Sequence, residues 1–155
     1  MKVCFIGHRE VGYNFSREQL KGIIETKIKD GYLSFMVGCH GQFDTIALNV
    51  CRELRRTYQN ISIEVVLTSL HTIQKKLVYE DDYGEDYFEQ YKDVSTIMYD
   101  IEDVYFKNRI ILSNKKMINS CDVLICYVDG KKRDSGAKRM MDYAIKKGLK
   151  IINLY

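Results

Sequence analysis

The chain has 155 residues, 46% of them apolar and 29% charged, with a formal net charge of +3. That balance belongs to one folded domain with a real core and excludes a disordered chain. No apolar run approaches the ~20 residues that cross a bilayer, and the run near the N-terminus, Val3 to Ile6, is too short for a secretory signal.

Val3 to Ile6 is continuously apolar, which predicts a strand buried on both faces. Ser16-Arg17-Glu18-Gln19 has the spacing of a capping box. Leu20, Ile23, Ile24 and Ile28 then recur at helical spacing, and Gly31 stops that helix. Ser34 to Val37 reads as a second strand. From Thr45 to Tyr58, Ile46, Val50, Leu54 and Tyr58 form one stripe of a second helix. Ile61 to Thr68 is a third strand, rich in β-branched residues.

The pattern breaks over about 69–103, where Tyr79, Tyr83, Tyr87, Tyr91 and Tyr99 stand among acids. The stretch is too long for an ordinary connection, so it is expected to be an insertion or a lid. Helical period returns from about 104 with Ile110, Ile111, Asn114, Met117 and Ile118. Asp122 to Asp129 holds a fourth strand. Ala137, Met140, Met141, Ala144 and Ile145 mark a last helix, stopped by Gly148, and Lys150 to Leu154 is a fifth strand. Strands that alternate with helices predict one Rossmann-like α/β domain over 1–155. It has three layers, with a mostly parallel sheet of about five strands and helices on both faces.

Three strand-to-helix corners carry glycines: Gly7-His8-Arg9, Gly38-Cys39-His40-Gly41 with Asp44 close behind, and Ser135-Gly136-Ala137. Such a corner aims backbone N–H groups and the positive end of a helix dipole at one spot, which favours an anion such as a phosphate. All three follow strands, so all open at the carboxyl edge of the sheet, where ligands bind in this architecture. The ligand class this predicts is a nucleotide or nucleotide derivative, with no certain cofactor.

Charge is unevenly spread. Residues 80–103 hold ten acids and one base, leaving 23 bases against 11 acids elsewhere. A basic body attracts polyanions, which keeps nucleic acid among the candidate partners, while the acidic stretch would repel a nucleic-acid backbone. No RNA-recognition or zinc-finger pattern is present. Five cysteines without a CxxC pair predict reduced thiols and a cytoplasmic location. Cys39, His40 and His8 are good zinc ligands, but their spacing matches no closed four-ligand site, so no metal is expected.

Four blocks, in this order and spacing, resemble the SLOG superfamily, which groups DNA-uptake proteins of the Smf/DprA type with the LOG phosphoribohydrolases. They are Phe5-Ile6-Gly7-His8-Arg9, then Val37 to Asp44 with Ala47, then Asn114 to Ile118 followed by Ser120-Cys121-Asp122, and Ser135-Gly136-Ala137 followed by Tyr143-Ala144. The chain is most similar to small bacterial and phage members with a GHR signature. The resemblance implies a Rossmann-like binder of a nucleotide-derived ligand, with a proposed sensing role, and LOG-type relatives form homodimers. It also implies two alternatives: hydrolysis of the N-glycosidic bond of a nucleoside monophosphate, and a DNA- or partner-binding module. Relatives usually carry Arg where this chain has Ser113. The Gly-Thr pair of the LOG motif is missing, and Asp142 stands at the spacing of its glutamate.

Arg9 is suited to a bidentate phosphate contact. His8 can contact a ligand or orient its own loop. Gly38 and Gly41 allow close backbone approach. Asp44 can cap the helix starting near Thr45 or meet a ribose. Cys39, near a helix start, is a candidate low-pKa thiol. Asn114 is polar on an apolar stripe and needs a partner, from a ligand or from a loop. Arg109 lies one turn earlier. Ser135, Gly136 and Ala137 start a helix that can donate to phosphate or is simply capped by Ser135, and Asp142 is the catalytic candidate of the hydrolase alternative.

Overall fold

The computed structural model describes residues 1–68, 90–99 and 105–155. In chain order the elements are β1 (Lys2–Gly7), α1 (Arg17–Lys29), β2 (Ser34–Val37), α2 (Gln42–Arg55), β3 (Ser62–Leu67), β4 (Ser95–Met98), α3 (Phe106–Asn119), β5 (Val123–Tyr127), α4 (Gly136–Lys146) and β6 (Lys150–Asn153). The strands form one sheet in the order β4-β3-β2-β1-β5-β6, and every pairing is parallel. This is the Rossmann-like α/β architecture expected from the alternation of elements.

Burial explains the continuous apolar runs. Along β1, Val3 and Phe5 enter the core shared with α1 and α2, while Cys4 and Ile6 enter a second core shared with α3 and α4. β5 divides likewise: Val123, Ile125 and Tyr127 face one core, Leu124 and Cys126 the other. A strand covered on both faces has no solvent side on which to place polar residues.

Local rules set the helix ends. Ser16 caps α1, its Oγ accepting from Gln19 N–H at 3.1 Å. Ser135 caps α4 in the same way, accepting from Lys138 N–H at 3.0 Å. α2 differs from expectation. It starts at Gln42 with Gly41 as the N-cap, not near Thr45 behind Asp44, so Asp44 lies inside the first turn.

Among the described residues the sheet has six strands rather than about five. The extra one, β4, lies inside the stretch expected to be an insertion or lid; residues 69–89 and 100–104 of that stretch lie outside the described residues. The turn before β4 is held to α2 by Asp93, which pairs with Arg52 at 2.6 Å and Arg55 at 2.8 Å. Among the described residues, no helix is long and apolar enough to cross a membrane.

The chain runs outward from β1 through β2 and β3 to β4, then returns to place β5 on the other side of β1. Strand order therefore reverses at β1. The turns that leave β1, β2 and β5 all emerge on the same edge, at the crevice this topology creates.

Candidate functional site

A cavity of about 370 Å³ opens at that edge. It is walled by the turn after β1, the turn after β2, α3, and the start of α4. Eleven of the thirteen expected ligand-binding residues line it, so the three glycine corners share one rim. They are Gly7, His8 and Arg9; Gly38, His40, Gly41 and Asp44; Asn114; and Ser135, Gly136 and Ala137.

The second corner is already occupied by the protein. The carboxylate of Asp44 reaches back over the turn, and its Oδ2 accepts from His40 N–H at 3.0 Å. The Gly41 amide also points at this carboxylate. A Cβ on Gly38 would sit 2.7 Å from Asp44 Oδ2, so a side chain there would displace that carboxylate. Gly41 must be glycine because a Cβ would sit 2.9 Å from the Arg9 Cα. Gly7 makes room for the Phe43 ring. These glycines therefore serve the packing of turn against turn, and the anion cradle of residues 38–41 holds Asp44. Burial pushes the Asp44 carboxyl up to about 6, opposed by the His40 and Gly41 amides.

Both cavity histidines are held below their ordinary pKa. Burial lowers the His8 pKa, aided by the nearby Lys132 charge. Burial, then Arg9, lowers that of His40. His8 Nε2 accepts from Asp129 N–H at 2.9 Å, which ties the turn after β1 to the turn after β5. This is the loop-orienting role considered from sequence.

The third corner is open. The Ser135 hydroxyl takes the Lys138 amide, but among the described residues nothing accepts from the N–H groups of Gly136 and Ala137. A Cβ on Gly136 would meet nothing within 4 Å. Lys131, Lys132 and Arg133 precede this helix start and add to its positive potential. Across the cavity, half-buried Asn114 has no hydrogen-bond partner among the described residues, and Arg9 is exposed at the rim.

Three candidates stand apart. Cys39 packs at the edge of the α1/α2 core, with its Sγ 3.7 Å from His40 Nε2. Burial and the Asp44 charge push its thiol up to about 12, the reverse of the activation expected at a helix start. Arg109 is half-buried on α3 and does not line the cavity. Asp142 lies outside it, with Oδ1 2.5 Å from Lys138 Nζ in an i,i+4 pair. Ser113 is wholly buried, and among the described residues its Oγ has no hydrogen-bond partner.

Sequence reasoning missed the apolar wall formed by Ile110, Ile111 and Met140. These residues sit on helical stripes, and a stripe reads equally as core. Among the described residues, no group of three or more His, Cys, Asp or Glu side chains is placed to hold a metal ion. No protein-family model matches the chain, and no curated protein does.

Proposed function

We propose that the chain binds a nucleoside phosphate in the cavity at the carboxyl edge of β1 and β2. One observation carries the reading: two free amides at the start of α4 face a cavity whose far wall presents Asn114, unpartnered among the described residues, beside an apolar surface. An anion is favoured at the first feature. A planar base is suited to the second, where Ile110 and Ile111 supply contact area and Asn114 supplies a donor and an acceptor. Asp44 faces the space between and is suited to accept from ribose hydroxyls. The volume, at the low end for ligand pockets, suits a mononucleotide. The resemblance to the SLOG superfamily points to the same ligand class.

Phosphate belongs at residues 135–137 in this reading rather than at 38–41, because Asp44 holds the amides of the second corner. The test is a thermal-shift and calorimetric titration with AMP, GMP, CMP and UMP. At 100 times the dissociation constant, a ligand of the native state adds about 2.7 kcal/mol of stability. We expect one of the four to raise Tm by several degrees, and Arg9→Ala and Asn114→Ala each to weaken it about tenfold. If none shifts Tm at millimolar concentration, the reading fails.

A second reading, hydrolysis of the N-glycosidic bond, is favoured by one feature. Asp44 is a carboxyl group inside the cavity, held near pKa 6, which suits a proton donor at neutral pH. Asp142, ion-paired outside the cavity, does not support it. Release of free base from the bound nucleotide, lost in Asp44→Asn, is the expected sign.

A further inference from the structure

A second cavity, of about 310 Å³, opens on the other side of His8. It is built from the β1–α1 connection (Glu10 to Asn14), the turn after β5 (Asp129, Lys132) and Tyr155, with the Tyr127 hydroxyl at its inner wall. That hydroxyl is fixed: it donates to Asn14 Oδ1 at 2.5 Å and accepts from Gly12 N–H at 3.1 Å. The Tyr127 ring is buried, but Tyr13 is fully exposed and Tyr155 is about half exposed.

Three observations join this cavity to the first. His8 lines both. The hydrogen bond from Asp129 N–H to His8 Nε2 holds the turn after β5 against that shared ring. Lys132 faces the second cavity and belongs to the same turn as the α4 cap, since Ser135 N–H donates to Lys132 C=O at 3.3 Å. One short loop thus offers amides to the first cavity and an ammonium group to the second. Lys132 and Glu10 have no charged partner among the described residues.

We infer that the second cavity receives the distal part of a nucleoside diphosphate sugar whose nucleoside lies in the first. Lys132 faces the outer phosphate. The sugar lies beside Tyr13 and Tyr155, its C–H faces against the rings, with Glu10 accepting from its hydroxyls and the Asn14 amide nitrogen donating to them. The chemistry of the walls selects this class: a cation for phosphate next to His8, and beyond it acceptors, donors and aromatic faces with little aliphatic surface. This inference rests on the nucleotide reading above and extends it.

Calorimetry with AMP, ADP and ADP-glucose, or with the matching series of whichever base binds, tests it. Affinity should rise along the series. Lys132→Ala should weaken ADP and ADP-glucose about tenfold, the size of one charge-assisted contact, and AMP by less than about threefold, since Lys132 adds only a longer-range potential at the start of α4. Glu10→Ala and Tyr13→Ala should weaken only ADP-glucose, by about three- to tenfold. Glu10, Tyr13 and Lys132 are exposed, so folding should survive each change, and circular dichroism checks it. Equal affinity for the three ligands, or an equal loss for all three in Lys132→Ala, overturns the second cavity while leaving the first intact. Absence of binding by every member of the series overturns both.

Discussion

Asp44 is the residue on which the site's behaviour turns, because its carboxylate takes the place that sequence reasoning assigned to a bound phosphate. Its acidity has a consequence for stability. Burial raises its pKa from the ordinary 3.8 to about 6, so between about pH 4 and 6 the folded protein keeps a proton that the unfolded chain has released. The native state binds more protons there, and stability from this group rises as pH falls through 6. At about 1.4 kcal/mol per tenfold change in acid constant, the full effect, reached below both values, is about 3 kcal/mol, and about half of it is present at pH 5. His8 and His40, held below their ordinary pKa, act in the opposite sense over the same range, so the comparison must be with Asp44→Asn. We expect the stability of the native chain minus that of the variant to be larger at pH 5 than at pH 7.5 by about 1–2 kcal/mol, read from urea midpoints. A difference independent of pH would show that the carboxyl is not desolvated. At the same scale, Gly41→Ala drives a Cβ to 2.9 Å from the Arg9 Cα and 3.3 Å from the His8 oxygen. Backbone atoms cannot swing aside, so a loss of about 1–3 kcal/mol is expected. Gly130→Ala, with open space around it, should change stability by less than about 0.5 kcal/mol.

At the scale of elements, the two serine caps can be set against each other. Ser16 and Ser135 each satisfy one amide of a helix start, and replacing either by Ala should cost about 1 kcal/mol. Only Ser135 borders the proposed phosphate position, so only Ser135→Ala should also weaken nucleotide binding; equal binding by the two variants would remove α4 from the site. Both caps were legible in the sequence, as were β1, β2 and β5, because a strand buried on both faces leaves an apolar run; β3 was legible from its β-branched residues, and β6 from Ile151 and Ile152 after the stop at Gly148. β4 was not. Ser95-Thr96-Ile97-Met98 lies at the sheet edge with three of its four residues exposed, so it needs no apolar run, and acids surround it. The start of α2 is not marked in the sequence either. Asp is a common N-cap, and sequence alone does not show that Gly41 leaves the backbone free to begin the helix earlier, with Asp44 reaching back from its first turn. Of the site, the corners were legible because glycines and strand ends mark them. The apolar wall was not, since Ile110 and Met140 follow the same helical spacing as true core residues. The second cavity was hidden because it depends on the turn after β5 meeting the β1–α1 connection, a contact across more than a hundred residues.

At the scale of the whole molecule, the described residues form a sheet whose middle is sealed and whose edges are not, and this sets where motion and binding can be felt. β1 and β5 pair over five residues and are covered by helices on both faces. Among the described residues, β4 and β6 each have one neighbouring strand, and both carry exposed residues. Local opening costs least where few buried contacts must break, so amide hydrogen exchange should be slowest at Phe5, Ile6, Leu124 and Ile125. It should be faster at Thr96 and Ile97 by two orders of magnitude or more. A nucleotide bound at the rim touches the turns after β1 and β5 and the start of α4, but neither edge strand. Its binding should therefore slow exchange at Arg9 and at Gly136 and Ala137, whose amides gain an acceptor, and leave β4 unchanged at sub-global opening. Slowing confined to β4, or spread evenly over the chain, would mean that the ligand acts away from the crevice. Protection at Gly136 and Ala137 without change at His40 would separate the two corners directly, because the His40 amide already holds Asp44 in the free protein.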